Sequence, residues 1–124
     1  MQASGDTVKS TNEDLIDLVH FLRRSAVKNK SRVWRAAADQ LERSKTRRRE
    51  VNISRLARFT SSGDTVLVPG KVLGSGTISH PVKVAAFNFS SLAAKAVTEA
   101  GGECLSIREL VESNPSGAGI RLLG

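Results

Sequence analysis

The run Thr65-Val66-Leu67-Val68-Pro69-Gly70-Lys71-Val72-Leu73 is rich in β-branched and aliphatic residues, with Ser61-Ser62-Gly63-Asp64 before it and Gly74-Ser75-Gly76 after it. Such a run between two turn clusters reads as a strand. Pro69 has no N–H to give to a ladder, so the strand is expected at the edge of its sheet, or bulged. Beyond the glycine turn, Thr77 to Phe87 reads as the next strand, bent near Pro81, with Val82, Val84 and Ala86 alternating against Lys83 and Ala85. Ser90 then caps a helix whose apolar face is Leu92, Ala93, Ala96, Val97 and Ala100, closed by Gly101-Gly102 as a left-handed C-cap. Cys104-Leu105 reads as a short strand, and Ser106-Ile107-Arg108-Glu109 as a capping box opening a helix through Ser113. Asn114 to Gly119 is a loop, and Ile120 to Leu123 a closing strand. Residues 61–124 thus predict a small α/β layer with parallel strand-helix-strand crossovers of right-handed sense.

Working back toward the N-terminus, the pattern turns helical. Residues 1–10 are small and polar and read as a flexible lead. Ser10-Thr11-Asn12-Glu13 resembles a capping box, and Asp14 and Asp17 suit a helix N-terminus. Leu15, Val19, Leu22 and Ala26 share one face, widened by Ile16, Leu18 and Phe21, with His20 completing it. Asn29-Lys30-Ser31 breaks this helix and Ser31 caps a second, about Arg32 to Arg43, which buries Val33, Trp34, Ala37 and Leu41. Two helices joined by so few residues form a hairpin. From Asn52 the spacing Ile53, Leu56, Ala57, Thr60 favours a short helix capped by Asn52, while the alternation of Val51, Ile53 and Arg55 leaves a strand open. The expectation is one domain over 1–124, with a basic helical part at 11–60 and an α/β core at 61–124.

Charge is distributed very unevenly along the chain. From Arg23 to Arg58 there are thirteen Lys and Arg against three Asp and Glu, a local excess of ten in a chain whose net charge is +7. The remainder is therefore slightly acidic. The densest part, Lys45-Thr46-Arg47-Arg48-Arg49, has no apolar member and places three like charges in succession, which repel one another unless an anion neutralises them. Arginine is also the better side chain for bidentate phosphate contact and for stacking on bases. This asymmetry calls for a polyanion, and nucleic acid fits better than a membrane surface. The candidate contacts are Lys28, Lys30, Arg32 and Arg35 around the hairpin turn, Arg43, Lys45, Arg47, Arg48 and Arg49 in the run, then Arg55, Arg58 and Lys71.

Other chemistries find little support. One cysteine, Cys104, excludes an intramolecular disulfide and a cysteine-based zinc site, reads as a small buried hydrophobe, and suits a reducing cytoplasm. No run of about 18 apolar residues occurs, and Met1 to Asp6 has neither the basic start nor the apolar stretch of a signal peptide, so neither membrane insertion nor export is expected. Gly70-Lys71 has no glycine at the spacing of a phosphate-binding loop, and Val72 stands where Ser or Thr is required. Gly74-Ser75-Gly76 has Ser79 in place of the third glycine of a dinucleotide fingerprint and precedes a strand, so its glycines read as turn formers. Gly117-Ala118-Gly119 is a turn, or a point where backbone closely approaches RNA. His20 and His80 lack companions for a metal site, and no nucleophile or acid/base pair stands out. Trp34 lies on an apolar helical face and reads as core, with base stacking the alternative.

Lys45 to Ser54, Val66 to Gly76, Phe89-Ser90-Ser91-Leu92-Ala93, Gly101-Gly102 and Pro115 to Gly119 together resemble the archaeal and eukaryotic large-subunit ribosomal protein L-eighteen-e family, a relative of bacterial ribosomal protein L-fifteen. The most specific segment is Val68-Pro69-Gly70-Lys71-Val72-Leu73-Gly74. The resemblance implies an α/β fold preceded by helices, bound to large-subunit ribosomal RNA beside neighbouring ribosomal proteins, in the cytoplasm. It implies no enzymatic activity, no cofactor and no small-molecule substrate. Family members often carry a polar residue where this chain has Ala57 and a tyrosine where it has Phe59, so no hydrogen bond to RNA is expected from either, although the Phe59 ring keeps the capacity to stack. The rival readings are a free RNA- or DNA-binding regulator using the same patch, and a small enzyme acting on a phosphorylated substrate at the glycine turns.

Overall fold

The structure is a computed structural model and describes residues 12–43 and 49–123. The expected lead at 1–10, the capping box at Ser10 to Glu13, and Lys45, Arg47, Arg48 and the Arg49 side chain lie outside the described part.

Helix α1 (Asn12–Asn29) and helix α2 (Arg32–Arg43) form the hairpin. Strand β1 (Arg49–Asn52) follows and passes directly into helix α3 (Ile53–Phe59), so the segment with two open readings is strand first and helix second. Asn52 occupies the N-cap position of α3 without the expected side-chain cap bond. Next come strand β2 (Thr65–Leu73), strand β3 (Lys83–Phe89), helix α4 (Ser91–Glu99), strand β4 (Glu103–Ser106), helix α5 (Ile107–Ser113) and strand β5 (Ile120–Leu122). Ser90 Oγ accepts from Ala93 N at 3.1 Å, and Ser106 with Glu109 closes a reciprocal capping box, both as the sequence indicates.

All five described strands are parallel. The sheet runs β1-β2-β3-β4, and β5 also pairs with β2. Pro69 therefore sits in a strand flanked on both sides, against the expectation of an edge. Its missing N–H does no harm there, because on one side the pairing with β5 ends at Leu67 and that with β1 begins at Gly70. On the other side the register with β3 shifts between Val68 and Lys71, so the bulge alternative holds.

Strand β3 starts at Lys83, well after the expected Thr77. Two parallel neighbours need a crossover that returns the chain to the starting end, so residues 74–82 travel the length of the sheet without pairing. Gly76, at φ +102°, passes so near Ser54 that a Cβ would lie 2.5 Å from that side chain.

Side-chain alternation divides the core into two layers. Leu67 and Ala85 face α1, α2 and α5, with Leu22, Trp34 and Leu41 at the centre. Val66, Val68, Val84 and Ala86 face the other way, toward Ile53 and Leu56 of α3 and Ala93 and Val97 of α4. From β1 to β4 the chain moves across the sheet in one direction with its helical connections on the α3/α4 side, then returns from β4 to β5 with α5 on the opposite side. Reversing both direction and face preserves the hand of the crossover. Three expected core positions face solvent: Ile16, His20 and Leu92. Leu92 lies on the solvent side of α4, with Gly74 against its backbone, and Ile16 and His20 lie on the solvent side of α1. Cys104 is half-buried.

Candidate nucleic-acid interface

The hairpin turn is built by the end of α1. Lys30 N donates to the Val27 carbonyl (3.4 Å) and Ser31 N to the Ala26 carbonyl (3.0 Å), the pair of bonds of a Schellman closure. That closure puts Lys30 in the left-handed region at φ 51°, the sole non-glycine residue with positive φ among the described residues. A Cβ in this region costs on the order of 1 kcal/mol, which is why glycine usually takes the place. Asn29 Nδ2 tightens the turn by donating to the Ser25 carbonyl at 3.0 Å.

The turn is pinned from below to the loop between α5 and β5. Trp34 is fully buried, and its Nε1 donates to the Pro115 carbonyl at 2.7 Å. Trp34 is thus a core residue, and the base-stacking alternative is excluded. Gly117 (φ 73°) lies where a Cβ would fall 2.4 Å from Val33 Cγ1 and 2.7 Å from Ser31 Oγ. The close backbone approach at Gly117 is therefore made within the protein, against α2.

Between the last turns of α1 and the first of α2 lies an open cleft of about 420 Å³, lined by Arg23, Ala26, Val27, Lys30, Ser31, Arg32 and Arg35. Arg23 is committed inside the hairpin: it meets Asp39 at 3.1 Å and Glu42 more closely still. The Glu42 hydrogen bond raises the Arg23 guanidinium above its already high ordinary value. Lys28, Lys30, Arg32 and Arg35 are exposed and meet no acid among the described residues. Lys30, Arg32 and Arg35 around the cleft, with Lys28 near it on the last turn of α1 and an 81% exposed Val27 beside them, give the turn a strong local positive field. Ser31 Oγ is buried without a hydrogen-bond partner and does not close the α2 N-terminus.

The remaining candidates do not converge on this cleft. Arg43 is exposed at the far end of α2. Lys71 is half-buried within β2, in register with Glu50 and Asn88, so an acid stands beside it on the same sheet face. Arg55 and Arg58 are exposed on α3, across the sheet from the hairpin, and their guanidiniums lie 5.7 and 6.0 Å from the centre of the Phe59 ring. The side chains of the arginine run itself lie outside the described residues. Sequence reasoning could not assign Arg55 and Arg58 to a sheet face, because that depends on crossovers that local pattern does not reveal. It also passed over Arg24, which is exposed on α1. Lys30's backbone conformation was missed as well; its signal was a helix break with no glycine in it.

Among the described residues, no three His, Cys, Asp or Glu are grouped to hold a metal. Burial, helped by the charge of Glu103, pushes the Cys104 thiol up and away from the reactive thiolate. His80 lies beside Thr60, whose Oγ1 donates to the Leu56 carbonyl at 2.5 Å and accepts from His80 Nε2 at 2.8 Å, a bond that ties the end of α3 to the 74–82 crossover. No described helix is long and apolar enough to cross a membrane.

Comparison with known proteins agrees with this picture along nearly the whole chain. Residues 2–124 match the family model described as ribosomal protein 60S L18 and 50S L18e. The large ribosomal subunit protein eL18 of Archaeoglobus fulgidus is 42% identical over 94% of this chain and 99% of its own length. Its counterpart in Methanoregula boonei is 40% identical over 94% and 97%, and that of Methanopyrus kandleri 45% identical over 91% and 93%. The chain belongs to the family of ribosomal protein 60S L18 and 50S L18e.

Proposed function

We propose that the chain is a structural constituent of the large ribosomal subunit, acting in the cytoplasm in translation, and that it holds ribosomal RNA through the cations of the hairpin turn and the arginine run that follows α2. The observation that carries this reading is the cleft at the turn, where Lys30, Arg32 and Arg35 stand together, with Lys28 on the adjoining turn of α1, and none of the four has an acidic partner among the described residues. Side chains of this kind on an exposed helical turn suit the phosphates of folded RNA, read by backbone and A-form shape and not by base sequence. Arg43, Lys45, Arg47, Arg48 and Arg49 extend the same contact along the chain, with Lys71 a marginal member. Arg55 and Arg58, on the other side of the sheet, are placed for a second RNA segment, so that the protein clamps two segments together. Neighbouring ribosomal proteins complete its surroundings. The family has no known catalytic role, and the absence of a small-molecule substrate follows from the same reading.

If roughly eight phosphates are engaged, affinity falls about a thousandfold or more between low and moderate salt. The test is sedimentation of ribosomal particles from cells expressing a Lys28→Glu, Lys30→Glu, Arg32→Glu, Arg35→Glu variant, with circular dichroism as the check on folding. A folded variant that stays in the light fractions is the expected result. A parent chain that itself remained in the light fractions while binding RNA would favour a free regulator, and a variant that still travelled with the large subunit would refute the role of the tip. Reversal of Arg47, Arg48 and Arg49 together is expected to abolish incorporation in the same way.

A further inference from the structure

Phe59 breaks the pattern set by the other aromatic residues. Trp34 is fully buried, Phe21 and Phe87 pack against one core layer, and Phe89 packs against the other. Phe59 belongs to neither layer and is 47% exposed. Its exposure is not the fraying of a loose end, because Thr60 anchors the next residue to both Leu56 and His80.

Two guanidiniums flank the ring, Arg55 one helical turn back at 5.7 Å and Arg58 adjacent at 6.0 Å, and neither has an acidic partner among the described residues. The contrast with Phe21 is instructive. Arg108 lies 4.5 Å from that ring, but Phe21 is partly buried and its Arg serves to cover it. At Phe59 the arginines sit at the outer limit of a cation–π contact and leave the residue about half exposed to solvent.

We infer that Phe59, with Arg55 and Arg58 beside it, is a stacking site for an unpaired RNA base, a specific contact added to the phosphate contacts of the proposed function and resting on that reading. An aromatic face stacks any base, and its two side-chain torsions cost little to fix. Arginine adds a planar cation that stacks on bases and pairs with the phosphate attached to the stacked nucleotide. A purely phosphate-binding surface has no use for an exposed ring, and a double-stranded helix offers it no face. The occupant is therefore a looped-out or single-stranded nucleotide, on the RNA segment across the sheet from the one at the hairpin tip.

The test measures binding of the full chain to RNA extracted from the large subunit, over a salt series, for the parent, Phe59→Leu and Phe59→Trp. Leucine keeps an apolar side chain of similar reach and removes the ring; tryptophan keeps a ring and reports on it. Loss of the stack is expected to weaken the leucine variant about tenfold or more, with the salt slope unchanged because no charge is lost. The tryptophan variant is expected to bind within about threefold of the parent, and its added emission to be quenched by RNA while that of the buried Trp34 is not. Equal affinity of parent and leucine variant, or emission that saturating RNA leaves unchanged, overturns the stacking site while RNA binding itself stands. A parent chain that ignores this RNA at every salt concentration removes the functional reading, and the stacking site falls with it.

Discussion

Helices α1 and α4 end with the same pair of bonds but with different residues. At the end of α4, Gly101 N donates to Thr98 O (3.0 Å) and Gly102 N to Val97 O (2.9 Å), and Gly101 takes φ 88°. At the end of α1 the same closure is made by Lys30 N and Ser31 N, and the left-handed position holds a lysine. Gly101 has the residue that the backbone prefers, on a turn that only connects a helix to a strand. Lys30 carries a charged side chain there at a cost to stability, on a turn ringed by other unpaired cations. Strain kept where glycine would relieve it points to a task for the side chain. The N-caps differ in the same way: Ser90 and Ser106 each accept a backbone N–H, whereas Ser31 Oγ has no partner. On the proposed function, the turn between α4 and β4 serves folding alone, and the turn between α1 and α2 serves RNA contact as well.

The largest effect should come from removing what holds the contact turn in place. Trp34→Ala deletes a fully buried side chain and the bond to Pro115, so a loss of roughly 3–5 kcal/mol in denaturant unfolding is expected, with RNA affinity falling as the tip loosens. Gly117→Ala forces a Cβ against Val33 and Ser31 at a positive φ and should cost about 2 kcal/mol. If it were neutral, the tip would not be braced by the 114–119 loop. Gly101→Lys transplants the tip's strain to the structural turn, where roughly 1–2 kcal/mol should be lost with RNA binding untouched. The smallest effects separate the caps: Ser90→Ala and Ser106→Ala should each cost about 1 kcal/mol, and Ser31→Ala less than about 0.5 kcal/mol. Equal losses at all three would erase the distinction between the turns.

Much of the fold was legible because its determinants are local. The span of α2, the strand from Thr65 to Leu73, the caps at Ser90 and Ser106, and the left-handed Gly101 all follow from side chains within a few residues of the feature. What was not legible depends on distant parts of the chain. Pro69 is tolerated inside the sheet only because β1 and β5, some seventy residues apart, divide one flank of β2 between them and leave a gap opposite it. Gly74 leaves no room for a side chain because Leu92 and Ala93, eighteen and nineteen residues later, lie against it, which no local pattern shows. The candidate site shows the same division. The charge excess and the hairpin turn were evident from spacing, but the separation of Arg55 and Arg58 from that turn depends on the face over which each crossover passes.

The most direct test is Lys30→Gly, followed by two measurements on one protein: its unfolding free energy and the salt dependence of its affinity for large-subunit ribosomal RNA. Relief of the left-handed strain should raise stability by roughly 0.5–1 kcal/mol after the greater freedom of glycine in the unfolded chain is counted. Loss of one phosphate contact should lower the slope of log affinity against log salt by about one. A variant that gains stability and keeps the parent's slope would contradict the account, because the lysine would then bear strain for no contact.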